Sequence, residues 1–417
     1  GIGGSLMIPA VFGLISALYQ QRRRVAAFGA LGASSGISFA CGPILCGYLL
    51  DHVGWRIAFA SLGLLALLIL ICSVIIPASE NKRAAIPFDT PGFLLGTLGL
   101  FLTIFGILRI PVWGLIMPFD AAVSILGLSP APFVILCGLI VLVMMLRWER
   151  HFEAATGHAL LPAVFLKTRL VRHGLYLTGW IFFAYSSAIF TVVSFVQIVK
   201  SVSAMETGLL ILPFAICLAA CSLGLPLLIQ QRNPRRQCQM GLAAGIAGAL
   251  VAAAALHVTG FTPVLMASGL CLIGAGMGTI ATNAPILVTT GAGNRHAEQS
   301  GGVQAASRDI GQALGMALIS TVMLTVLTFM MKYQVQHDVA ISLAARQAIG
   351  HLTFIPWTSD RTFHQLIQTQ SLATDDIYSI LQHYQQSRME SARYGLLAMA
   401  IVTSLLLIRL RHLPKSS

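Results

Sequence analysis

The sequence predicts an all-α, polytopic membrane protein, and three observations carry that prediction. Hydrophobic residues make up 56% of the 417-residue chain and charged residues only 10%, too few charges to solvate the surface of a water-soluble fold this large. Mean hydropathy is +0.82. The apolar residues fall into eleven runs, each long enough to cross a bilayer as a helix (about 17–25 residues), and the basic residues gather in short clusters between them.

The candidate spans run approximately 1–19, 26–50, 57–76, 92–109, 131–147, 174–198, 206–229, 238–257, 262–288, 301–330 and 393–410. The first opens on Gly1-Ile2-Gly3-Gly4, already apolar and without an initiator methionine or signal peptide, as a truncated chain would. The second carries a glycine-lined face ending in Gly42-Pro43. The sixth is rich in aromatics, the ninth carries Gly274, Gly276 and Gly278 before Asn283-Ala284-Pro285, and the tenth contains an acid, Asp309. Between the tenth and eleventh spans lies a polar, Gln/His-rich segment, 332–392. Its apolar positions Val335, Val339, Leu343, Ile377, Ile380 and Leu381 recur at helical spacing and predict two amphipathic helices over the outer mouth.

The loops set the orientation. Eighteen Lys and Arg residues, from Arg22, Arg23 and Arg24 through Lys82, Arg147, Arg172, Arg235 and Arg308 to Arg409 and Lys415, fall on one side; only Arg56, Arg109 and Lys200 fall in the opposite short loops. The remaining five of the 26 lie on the long segment, which the positive-inside rule discounts. The rich side is therefore cytoplasmic, with the C-terminus inside and residue 1 outside. Eleven spans starting outside imply an odd number of spans in front. The net charge of +12 does not point to nucleic acid, because its carriers are these loop clusters. The eight cysteines lie in or beside apolar runs, with no CxxC and no Cys/His metal spacing, and read as small buried packing residues rather than disulfides or zinc ligands.

The most informative segment is Gly29 to Gly47, GALGASSGISFACGPILCG. Small residues let two helix backbones approach in lipid, and the proline removes a backbone donor and bends the helix. Ser38-Phe39-Ala40-Cys41-Gly42-Pro43-Ile44-Leu45-Cys46-Gly47 resembles the antiporter motif of the major facilitator superfamily, with Ser38 and Cys46 where that family prefers glycine. The order of the other elements resembles the fourteen-span drug:proton antiporters of that superfamily. Gly3 to Pro9 is similar to their fourth span, Asp51 to Arg56 to the outer turn before span six, Glu206-Thr207-Gly208 with Pro213 to the turn into span ten, and Gly301-Gly302 with Asp309-Ile310-Gly311 and Gly315 to span thirteen.

The resemblance implies that Gly1 falls near the start of span four, with three spans before it. It implies the end of an N-terminal bundle over 1–76, an inserted helix pair over 77–147, a basic cytoplasmic linker over 148–173, a C-terminal bundle over 174–410 that includes the 332–392 hairpin, and a cytoplasmic tail over 411–417. It also implies a bacterial inner-membrane protein, a monomer, that exports lipophilic, cationic drugs in exchange for protons. Its partners would be the small-molecule substrate, protons and lipid, with no nucleic acid. Export of a neutral or anionic metabolite and a non-transporting remnant stand as alternatives. The family's first-span acid and the arginine before its fourth span would both precede Gly1.

The residues exclude enzyme chemistry of the common kinds. There is no Gly-Lys-Ser/Thr phosphate loop, so no ATP drive from this chain, and no GxSxG elbow or Cys/His metal spacing; the resemblance implies a proton gradient as the drive, without a cofactor. Proton exchange needs a carboxylate poised in the membrane. Thirteen of the fourteen acids fall in loops or at span ends; Asp309 is the exception, on a polar stripe with Gln304, Arg308 and Gln312. Asp309 is thus the coupling candidate, unless it only balances Arg308. Gly42, Pro43 and Gly47 are the candidate kink. Aromatic faces attract lipophilic cations, so Trp180, Phe183 and Tyr185 are cavity candidates. Gln197, Asn283 and Gln304 complete the set.

The orientation is testable by impermeant thiol labelling in a background without the native cysteines. Ser342→Cys should label from outside and Ser416→Cys should not; the reverse pattern inverts the topology.

Overall fold

The computed structural model describes residues 21–75, 89–116, 127–157, 159–162, 165, 167–228, 234–257, 260–293, 297–368 and 372–410, with scattered positions among the first twenty. Most of the expected first span, the basic positions Lys82, Arg83, Arg232 and Arg295, and the tail 411–417 lie outside the described residues.

Twelve α-helices carry the fold among the described residues: α1 (Gln21–His52), α2 (Trp55–Ser73), α3 (Thr90–Trp113), α4 (Pro130–Thr156), α5 (Arg169–Val193), α6 (Ala204–Leu228), α7 (Pro234–Ala254), α8 (Pro263–Ala292), α9 (Ala297–His337), α10 (Leu343–His351), α11 (Asp360–Gln368) and α12 (Thr374–Leu410). A π-helical turn, Ser194–Val199, extends α5, and two-residue strands β1 (Leu256–His257) and β2 (Gly260–Phe261) pair between α7 and α8. Ten helices are long and apolar enough to cross a membrane. Helices are what lipid demands, because they satisfy their own backbone polar groups. Local chemistry sets the ends. Asp89 caps α3 by accepting from the Gly92 N–H at 3.0 Å, Ser129 caps α4 ahead of Pro130, and left-handed Gly157 (φ 71°) closes α4 onto the Glu153 carbonyl.

Helices α5 to α9 and α12 pack into one bundle around a core that includes Trp180, Phe214, Met277 and Leu396. Apolar side chains gain little from one another against lipid tails, so close contact comes from small residues. A Cβ at Gly248 would sit 2.6 Å from the Gly269 carbonyl, which brings α7 onto α8; one at Gly315 would sit 2.5 Å from the Phe183 carbonyl, which brings α9 onto α5. Helix α1 lies against α6 and α8, and the α3–α4 hairpin leans on α9 through Ile107, Ala313 and Ala317. Most of α2 presents exposed leucines and isoleucines, as a lipid-facing helix does.

Two expectations need correcting, the start of the last helix and the burial of the cysteines. The last helix begins at Thr374, well before 393, because Ile380, Tyr384 and Arg388 bury against α9, α10 and α11. The 332–392 segment is therefore two short helices held between extensions of α9 and α12, with a second hydrophobic core of its own. Fully buried Arg388 ties this cap together: it pairs with Asp360, donates to the Thr358 carbonyl at 2.6 Å and lies over the Tyr384 ring. The cysteines are all free as read, yet Cys41, Cys46, Cys72 and Cys137 are exposed on apolar helix faces and only Cys238 is buried.

Asp338 joins the ends of α9, α10 and α12. It accepts from His383 at 2.8 Å and from the Ala340 N–H at 2.9 Å, with Arg346 beside it. The His383 hydrogen bond, then the Ala340 N–H, hold its carboxyl below the usual aspartate range. A depressed carboxylate stabilises the fold above its unfolded pKa and loses that contribution as pH falls through the folded value. The cap should hold at neutral pH and loosen below the ordinary aspartate pKa of about 3.9. Amide exchange in α10 measures this, and Asp338→Asn should flatten the acid limb.

Candidate substrate cavity

A cavity of about 360 Å³ opens between α1, α5, α6, α8 and α9, a volume within the range of small-molecule pockets. Its α1 wall follows helical spacing, with Phe28, Leu31, Ser35 and Phe39 on one face. Phe182 of α5 and Met277 of α8 face it from the other side, and Gln304 and Arg308, one turn apart on α9, supply its polar corner.

The polar groups are unevenly satisfied. The hydroxyls of Ser35, Ser38 and Thr178 each donate to a carbonyl of their own helix at 2.9–3.0 Å. Gln304 is 1% exposed and its Nε2 donates to the Ser300 carbonyl at 3.2 Å, while its Oε1 is buried with no partner among the described residues. Arg308 directs Nε and Nη2 to Asp309 Oδ1, both at 2.9 Å, and its guanidinium carbon stands 5.4 Å from the Phe182 ring centre. Among the described lining residues Arg308 is the only charged one.

The remaining candidates scatter. Asp309 lies beside the cavity, exposed and paired with Arg308 rather than lining the wall. Trp180 points into the bundle, donating to Thr403 at 2.9 Å, and Phe183 is buried in the core. Tyr185 stacks on cavity-lining Phe39, ring centres 4.1 Å apart, and so supports the wall from behind. Asn283 donates to the Thr279 carbonyl of its own helix, and Gln197 is half-buried in the π-turn. Helix α1 continues through Gly42 and Pro43. Its close contacts fall at Gly36, where a Cβ would be 2.9 Å from the Ala219 backbone nitrogen, and at Gly47, where it would be 2.9 Å from the Met205 nitrogen; nothing stands within 4 Å of one at Gly42. At 100° per residue Gly36 and Gly47 share a face, and Gly42 lies about 120° round from Gly36. Sequence reasoning missed Phe28, Phe39 and Thr178 because only the fold gathers them; the i, i+4 spacing of Gln304 and Arg308 was the usable signal.

Ten described helices are long and apolar enough to cross a membrane, and five of them line this cavity, which makes the architecture that of a polytopic membrane protein. The chain belongs to the Major Facilitator Superfamily, whose family profile matches residues 1–316. It is similar to the Tetracenomycin C resistance and export protein of Streptomyces glaucescens, 26% identical over 332 residues, 78% of this chain and 57% of that protein. It is also similar to the Probable actinorhodin transporter of Streptomyces coelicolor, 24% identical over 330 residues, 76% and 54% of the two chains. Multidrug resistance protein Stp of Mycobacterium tuberculosis is 25% identical over 333 residues, 78% and 57%. The chain spans about half the length of these curated relatives. It is a multi-pass membrane protein of this superfamily, related to proteins named for drug resistance and antibiotic export.

The α1–α6 seam shapes one wall. Gly36→Leu should lower thermal stability in detergent by about 1–3 kcal/mol, the ordinary penalty of overpacking. An unchanged melting curve would mean that the seam does not hold α1.

Proposed function

We propose that this protein exports lipophilic, aromatic small molecules from the cytoplasm in exchange for protons, as part of a bacterial inner membrane, with its basic end and C-terminus inside. The observation that carries this reading is the buried, unpartnered Gln304 Oε1 beside an aromatic-walled cavity of drug size. Such an atom is costly to leave without a donor, and a substrate N–H or O–H arriving against Phe28, Phe39 and Phe182 satisfies it. The names of the relatives, which refer to resistance, export and transport, support the direction. In this reading Asp309 exchanges the proton and the Gly42-Pro43 step lets α1 bend.

Two readings of substrate charge follow. With Asp309 released from Arg308, the carboxylate serves a cationic drug. With the pair intact, the Arg308 guanidinium faces the substrate and favours a neutral or anionic one; its place in the cavity wall supports this second reading.

Proton-gradient-driven efflux in everted vesicles tests both. Gln304→Leu should raise the half-saturating concentration of a hydrogen-bond-donating drug roughly three- to tenfold, the worth of one hydrogen bond, at unchanged protein level. An unshifted curve removes Gln304 from the substrate site. Asp309→Asn should impair export of a dication more than of a matched monocation if the cation reading holds, whereas Arg308→Gln should impair an anionic drug selectively if the second does.

A further inference from the structure

Two carboxyl groups stand apart from the cavity, where α3 begins and α4 ends. Asp89 is 3% exposed and Glu149 is 2% exposed. Each has one oxygen engaged. Asp89 Oδ1 accepts from the Gly92 N–H at 3.0 Å and from Trp148 Nε1 at 2.9 Å; Glu149 Oε2 accepts from the Leu160 N–H at 2.9 Å. The other two oxygens, Asp89 Oδ2 and Glu149 Oε1, are buried with no partner among the described residues. They converge over Gly92. A Cβ there would collide with Asp89 Oδ2 and lie 2.7 Å from Glu149 Oε1, so the pair needs a residue without a side chain at that point.

Ionised carboxylates only accept hydrogen bonds. Two of them facing each other out of water repel and leave both inner oxygens unsatisfied, and one proton between them cures both faults. No cation does so among the described residues. Arg147 and Arg150 are exposed and, like His151 and Glu153 on the same helix, make no ion pair with either carboxyl; the segment 159–162 carries no ionisable side chain. No group of three metal-ligating side chains is present among the described residues.

We propose that Asp89 and Glu149 form a proton-binding site that holds one proton between Oδ2 and Oε1. The site is separate from Asp309 and goes beyond the export reading. It is wired to the cavity: Glu149 holds the Leu160 N–H, the adjoining Ala159 carbonyl accepts from Gln299 Nε2 at 2.7 Å, and Gln299 begins α9, the helix that carries Gln304. Loss of the proton leaves two like charges in contact, which drives Glu149 from Asp89 and strains the anchor of α9.

Infrared difference spectroscopy of the purified full chain, stepped from neutral to alkaline pH, reads the proton directly and needs no transport. The wild type should show a carboxylic-acid carbonyl band at neutral pH that bleaches on alkalinisation and shifts in D2O. Asp89→Asn and Glu149→Gln should each lack it. The double variant keeps two neutral groups of the same shape in contact, so it should fold and also lack the band; it decides the matter if either single variant fails to fold. A wild type without the band at neutral pH, or a band that survives in the double variant, overturns the proposal. Either result leaves the export reading untouched, and failure of drug efflux leaves the proton site untouched.

Discussion

Backbone-to-backbone approach is the contact on which this molecule depends. In lipid, apolar side chains are no better off against each other than against acyl chains, so helices associate where small residues let the main chains meet. Gly36 and Gly47 bring α1 onto α6, and Gly248 and Gly269 bring α7 onto α8. The cavity is what remains between surfaces held that close: α1 turns its Gly36 face to α6 and presents the neighbouring face, with Phe28 and Phe39, to the opening. Seam and cavity wall are adjacent strips of one helix, so a change in one is felt in the other.

The polar chemistry is concentrated on α9. Gln304 and Arg308 stand one turn apart in the wall, and Asp309, next in sequence, lies round the helix from them with its carboxylate on the Arg308 guanidinium. Each charge neutralises its neighbour, which lowers the cost of keeping Arg308 beside an apolar space. The buried amide oxygen of Gln304 has no such partner, which sets it apart from the serine and threonine hydroxyls that close onto their own helices.

Most of the helices were legible because composition and run length alone announce a membrane span; nine of the expected runs correspond to α1 to α9, although α4 and α9 run on past the expected ends to Thr156 and His337. The last helix was misjudged, since the polar stretch Thr374 to Arg393 resembles a loop until the cap buries Tyr384 and Arg388. The site was legible only where the signal was local. Gln304 and Arg308 share a helix face and could be paired by spacing. Phe28, Phe39 and Phe182 meet through tertiary packing, which no periodicity encodes. Asp89 and Glu149 looked like ordinary span-end acids because their burial depends on two helix ends, sixty residues apart, meeting over one glycine.

Helix α9 is 41 residues long, about 60 Å, roughly twice the hydrocarbon core of a bilayer. The distance from Gln304 to its end at His337 is about 50 Å of rigid helix, and the cap is built on that end, with Lys332 fastened to the Gly350 carbonyl. Such a rod is a lever whose long arm runs the length of the candidate span and ends in the cap. A tilt of 10° about Gln304 would sweep the cap through about 9 Å. On that geometry a tilt of α9 would be magnified at the cap, and a reporter fixed to α10 or α11 would register it as a displacement far from the cavity.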